Sequence, residues 1–460
     1  MAGSKRRRRD IALPKMSRGR RVLELAKDVL IAALICSAAV LAVRNQVYTA
    51  AGDTGVLSGL GALFGGEPTA APGNSDWSSP LDAAQPVRLA VTRQAADTVL
   101  RYGVQYDAEQ TDRDIAALSG FLGEALASAR TPEPVSRTQW EAALRTSGIY
   151  VDLLGEVPLP VLCRWMGQQE STDLAAGSVR RLVVAAPEGA DSAMLYYKNE
   201  SDGLYYACAT SVSCEDYLLP ALEGYGDNGA RFAFELDPEH YGNLAPETLV
   251  LRTAPEPGVY RVAAPLDLNE SSARTSLERA FSFYAADYPA AGGWVVREGD
   301  TLRVTSGGSV TYEADEDGGE PRYPVGDDIA SVVETTRKLA ADGLSAWCGK
   351  QTNPARLYLS ELERTGGESW RVVFRYSLDG ALVALGDGRP AAEFTVEGGQ
   401  ISAFRLTLRC YEETGETTPV LRELQAAAAL EALEPGSERE LMLCYEDDGT
   451  AARAGWVTWR

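Results

Sequence analysis

His240 is the only histidine in 460 residues. It lies in "LDPEHYGN", a turn-like setting, and one histidine cannot furnish a two-histidine metal site or, without a neighbouring nucleophile, a catalytic triad. Neither GxSxG nor SxxK occurs, so the serine-nucleophile motifs have no foothold. Gly224, Gly226 and Gly229 in "GYGDNG" spell GxGxxG. A dinucleotide fingerprint needs a strand before it and a helix after it. Here a helix-like segment precedes and the alternating "ARFAFEL" follows, which predicts a plain loop. "EADEDGGE" sets out Glu313, Asp315, Asp317 and Gly318 somewhat like a calcium loop, but Pro324 stands where the bidentate glutamate belongs. With 65 acidic residues, carboxylate pairs identify nothing. The expectation is no catalytic, cofactor-binding or metal-ligating residue, and no enzyme.

A different chemistry, that of helix contact in lipid, is written near the N-terminus. In "KDVLIAALICSAAVLAVRNQ", residues 27–46, the stretch Val29–Val43 carries no charge. It makes a helix of about 22 Å, and starting from Leu23 extends it to about 31 Å, enough to cross a bilayer core. Ten basic residues at or before Lys27 hold the N-terminus on the cytoplasmic side. Ala32, Cys36 and Ala39 fall on one helix face, with Ala33 and Ser37 beside them. Helices in lipid associate by close packing of small side chains, so these five are the candidate partner-binding residues. Alanine is also simply common in such helices. A cleaved leader fits the same length; the long basic tail favours retention.

Ten of the 44 Lys and Arg residues lie at or before Lys27, and three of the 65 acids at or before Asp28. Residues 29–460 therefore carry 34 basic and 62 acidic groups, a net of −28. Such a body repels nucleic acid and anionic lipid. Cys36 lies in the apolar segment, and Cys163, Cys208, Cys214, Cys348, Cys410 and Cys444 are scattered. An exported location permits disulfides, but the spacing assigns none.

The remaining elements predict an α+β protein: a single N-terminal transmembrane helix, then a three-part extracytoplasmic region of antiparallel sheets with packed helices. The expected segments are a basic tail (1–21), the membrane helix (22–44), a Gly/Ala/Pro-rich linker (45–83), an α+β domain (84–172), a mainly-β domain (173–325) and a C-terminal α+β domain (326–460). Val56, Leu57, Leu60, Leu63 and Phe64 give the linker an apolar patch, either amphipathic or merely sticky. In the first domain "PVRLAV" and "GIYVDLL" are strands, Thr111 is placed to cap a helix, and Ser136 with Gln139 forms a capping box. Strands "RRLVVAAP", "AMLYYKNE", "GLYYACAT", "ARFAFELD", "ETLVLRTA" and "GVYRVAAP" follow. A helix is expected over "SSARTSLERAFSFYAADYP", then three strands. The last domain opens with the helix "DDIASVVETTRKLAADGLSAWCG". In it Trp370, Val372, Phe374 and Tyr376, and later Phe404, Leu406, Leu408 and Cys410, alternate as strands covered on one face require.

Several blocks in this order resemble the YycH family, and the last also its YycI relatives: "SRTQWEAALRTSGIYVDLLGEVPLPVLCRWMG", "LERAFSFYAADYPAAGGWVVREGDTLRVTSGGSVTYEADED", and the C-terminal "SWRVVFRYSLDGALVAL" through "AGWVTWR". The resemblance implies a single-pass, extracytoplasmic accessory regulator of a WalK-type sensor histidine kinase. It would act with a companion YycI-like protein in cell-wall homeostasis of a Gram-positive cell. The basic tail and Gly-rich linker depart from the family pattern. Two other classes remain: an envelope polymer- or peptide-binding protein, for which Tyr196, Tyr197, Tyr205 and Tyr206 are candidate aromatics, and a carboxylate-dependent envelope hydrolase.

Overall fold

The computed structural model describes residues 80–459 except 85, 96–97, 170, 264–269, 316–318 and 434–437. The expected membrane helix, its small-residue face (Ala32, Ala33, Cys36, Ser37 and Ala39) and the linker lie outside the described residues. Among the described residues no helix is long and apolar enough to cross a membrane.

Seven strands form the first sheet: β1 (Arg88–Ala95), β2 (Thr98–Gln105), β3 (Glu133–Val135), β4 (Gly148–Pro158), β5 (Ser178–Ala185), β6 (Ser192–Asn199) and β7 (Tyr205–Ser213), in spatial order β2-β1-β4-β5-β6-β7-β3. Helix α1 (Ala108–Ala127) lies against β6 and β7 and buries Ile115, Leu118, Leu122 and Leu126. Helix α2 (Arg137–Arg145) packs Trp140, Ala143 and Leu144 inward, and Ser136 and Gln139 cap it reciprocally as expected. The short helix α3 (Leu159–Trp165) follows β4 through Pro158. A two-stranded ribbon, β8 (Arg231–Phe232) with β9 (Leu249–Val250), stands beside β2.

The second sheet has thirteen strands: β10 (Gly258–Val262), β11 (Asp287–Ala290), β12 (Gly293–Glu298), β13 (Asp300–Thr305), β14 (Ser309–Glu313), β15 (Arg356–Gly366), β16 (Ser369–Leu378), β17 (Ala381–Leu385), β18 (Ala392–Glu397), β19 (Gln400–Thr407), β20 (Tyr411–Thr417), β21 (Glu440–Asp447) and β22 (Ala451–Trp459). Its pairs are antiparallel except β17 with β21. Helices α4 (Ser271–Ala280) and α5 (Ile329–Cys348) pack on each other, and α5 covers β16 and β18. Helix α6 (Glu423–Leu433) leads into β21. The sheets run across the boundaries expected at 172/173 and 325/326: β5–β7 complete the first sheet, and β10–β14 belong to the second.

Local expectations differ from the structure in four places. Asp107, not Thr111, caps α1, and the Thr111 hydroxyl bonds back to the Asp107 carbonyl one turn earlier. "ARFAFELD" and "ETLVLRTA" keep only two strand residues each. The helix expected to reach Pro289 stops at Ala280. Phe281 and Phe283 both enter the core there, and Ser282 between them takes φ +55°. The released chain forms edge strand β11. Strand β2, "TVLRYGVQ", was not expected at all. Its alternation is interrupted by Arg101, whose guanidinium is fully buried on the Leu144 carbonyl and Glu235.

Candidate functional site

Strand β4 is apolar from Gly148 onward except for Asp152 and Glu156, and its pairing with β5 breaks between Asp152 and Val157. Such a bulge bends a strand out of its sheet. Leu154 takes φ +68° within it. Gly155 then rests directly on β15: a β-carbon there would sit 1.8 Å from the Leu359 carbonyl oxygen. At the same junction Gly380, in the Asp379–Gly380 turn, packs on Val87 just before β1. The two sheets meet through backbone, so the fit is intolerant of added volume.

Six charged side chains converge beside this contact: Arg88 of β1, Asp152 of β4, Arg180 and Arg181 of β5, Glu247 before β9, and Glu440 opening β21. Arg88 Nη1 donates to Asp152 Oδ2 at 3.0 Å and to Glu440 Oε1 at 2.6 Å. Arg180 spans the two acids, with Nε 2.9 Å from Asp152 Oδ1 and Nη1 2.8 Å from Glu440 Oε2. Arg181 donates to Glu440 and Glu247. The Leu154 N–H donates to Asp152 Oδ1 at 2.9 Å, tying the bulge to the cluster. The Tyr106 hydroxyl accepts from Arg88 and from the β21 backbone at Leu443. Val87, Leu154, Leu382, Met442 and Cys444 form an apolar cluster at the same junction.

Three cations and three anions leave the cluster neutral. Burial pushes the Asp152 carboxyl up, but Arg180, Arg181 and Arg88 outweigh it and hold it below its ordinary range. Burial acts the same way on Glu440, and the same three arginines hold it well below. A general acid at neutral pH needs the opposite shift, and both carboxylates are already filled with donors. The arrangement is suited to locking two sheets together. Arg356 on Asp112, Arg164 on Asp328 at 3.1 Å, and Trp165 Nε1 on Glu334 at 3.1 Å add further ties between the first sheet's helices and the second sheet's side.

The sequence matches no family model and no curated protein. Its fold, however, has a solved counterpart. The crystal structure of YycH from Bacillus subtilis superposes with a TM-score of 0.50 over 83% of this chain and 94% of that one, at 10% identity. The likeness is one of fold.

The residues singled out by sequence fall apart in this fold. His240 is exposed and bonds Asp237 at 2.8 Å. Gly224, Gly226 and Gly229 lie in a loop with no helix behind them. Tyr197 and Tyr206 stack with centroids 5.6 Å apart, whereas Tyr205 stacks on Trp140, so the four tyrosines form no single surface. All six described cysteines are buried, and none is in a disulfide. The junction cluster was missed, although its signals were present: Asp152 inside an apolar strand, and two adjacent arginines opening another.

Proposed function

We propose that the chain is a membrane-anchored extracytoplasmic regulator of a sensor histidine kinase, working by contact with the kinase and a companion YycI-like protein and not by turnover. The observation that supports this is the likeness to the YycH fold, which extends over 83% of this chain and 94% of that one. On this reading the segment at 22–44 stays in the lipid with its basic tail inside. Ala32, Cys36 and Ala39 then pack on a transmembrane helix of a partner. The outer body, locked at its sheet junction, serves as a stiff handle on that helix. A regulator shifts a kinase only if it binds one of its states better than the other. A locked body carries that difference across the membrane without dissipating it in its own hinge.

The test retrieves the full-length chain from its native membranes in mild detergent and identifies what accompanies it, while kinase output is followed in cells. Replacing Ala32, Cys36 and Ala39 together by Leu should weaken the complex and change output. If complex and output are both unaltered, helix docking is wrong. Recovery of the chain as a secreted form lacking its leader would remove the anchor altogether.

A further inference from the structure

Between the β8–β9 ribbon and the start of α6 lies a cavity of about 380 Å³. Arg231, Arg252 and Arg422 line it, in a chain of net charge −21. Arg231 is engaged, its Nη1 3.3 Å from Asp227 Oδ1 and 2.6 Å from the Ala230 carbonyl. Arg252 and Arg422 are exposed, and among the described residues neither has an ion-pair partner. The place of Arg252 is set by the last glycine of "GYGDNG". Gly229 has φ +80°, and a β-carbon there would lie 2.1 Å from Arg252 Nε. The guanidinium therefore lies against bare backbone at the cavity wall.

The floor holds a group of the opposite sign. Glu423 is only 4% exposed, lines the cavity, and accepts a backbone hydrogen bond at Leu251, yet its Oε1 has no partner. That oxygen is sealed from the cavity, so the two arginines and the apolar wall are what a ligand meets. Leu236, Tyr241, Val250, Leu251 and Leu424 supply apolar wall. Leu421 and Leu424 are exposed at 49% and 40%.

We propose that this cavity captures the C-terminus of a short peptide: Arg252 and Arg422 take the terminal carboxylate, and the apolar wall takes an aliphatic last side chain. A free phosphate satisfies the arginines but offers nothing to the apolar wall. Two arginines flanking an apolar slot match a carboxylate that carries its side chain one atom away. The inference is independent of kinase regulation, because it reads ligand binding on the isolated chain.

The experiment titrates full-length chain in detergent micelles with N-acetyl-alanyl-leucine, with the same dipeptide amidated at its C-terminus, and with inorganic phosphate, by calorimetry. The free acid should bind, and amidation should weaken it roughly ten- to a hundredfold. Arg252→Gln and Arg422→Gln should each weaken the acid in the same range while leaving the thermal unfolding of the chain unchanged. Inorganic phosphate should not displace the dipeptide at equal concentration. Equal binding of acid and amide, displacement by phosphate, or no binding by acetyl dipeptides ending in Leu, Val or Ala would each overturn the proposal.

Discussion

Arginines are used in opposite ways at two places in this molecule. At the sheet junction Arg88, Arg180 and Arg181 are buried, and three carboxylates neutralise them. At the α6 cavity Arg252 and Arg422 face solvent without an ion-pair partner among the described residues, beside a carboxylate whose Oε1 is unpaired. At the junction only Arg88 Nε and Glu247 Oε2 of the cluster lack a partner, and removing one member of a buried charge set leaves the others uncompensated, so the junction responds to the loss of any member. A solvated, unpaired charge contributes little to folding and is left available for a ligand. The difference separates a structural use of charge from a binding one without recourse to residue type.

That contrast sets the order of expected effects. Glu440→Ala takes from three buried guanidiniums a carboxylate they share and should cost about 3–5 kcal/mol in urea unfolding; a cost below about 1 kcal/mol would show that the junction is wet or loose. Gly155→Ala pushes a β-carbon onto the Leu359 carbonyl and should cost about 1–3 kcal/mol by the same measurement.

Acid should act oppositely on the two sites. Asp152 and Glu440 are held low by their arginines, so their contribution is complete above the ordinary carboxylate range and disappears as pH falls through their depressed values. Burial pushes Glu423 up to about 6. Its unfolded value is about 4.3, so its charged form opposes folding above pH 6 and that penalty vanishes as pH falls toward 4. Glu423→Gln should therefore stabilise the chain at pH 7.5 by up to about 2 kcal/mol and lose the gain near pH 4. A pH-independent effect would mean that Glu423 is not desolvated. Smallest of all, Arg252→Gln should change stability by no more than about 0.5 kcal/mol. A loss comparable to that of Arg88→Gln would collapse the distinction between the two sites.

Much of the local structure was legible because its causes are local. The Ser136–Gln139 capping box, the α5 helix opening after Asp328, and the Asp379–Gly380 turn need only neighbours within four residues. The failures were places where a distant partner overrode the pattern. Arg101 disguised β2, because an arginine in a strand looks solvent-facing until Glu235, 134 residues away, is seen to receive it. Phe281 and Phe283 ended α4 early because the core drew both in across a helical period. The binding cavity was hidden more completely. "GYGDNG" marked a tight loop, but nothing in it announces that Gly229 makes room for Arg252.

By itself the sequence determined the alternation that makes most strands, the caps of several helices, the acidic surface, and an apolar basic-flanked segment suited to lipid. Only the tertiary structure decided that Asp152 and Glu440 share the same three arginines, and that three other arginines border a cavity. Periodicity and capping depend on bonds a few residues long, whereas the partner of a buried charge is whichever opposite charge the folded chain delivers. Arg180 and Glu440 are 260 residues apart, and no local rule spans that distance.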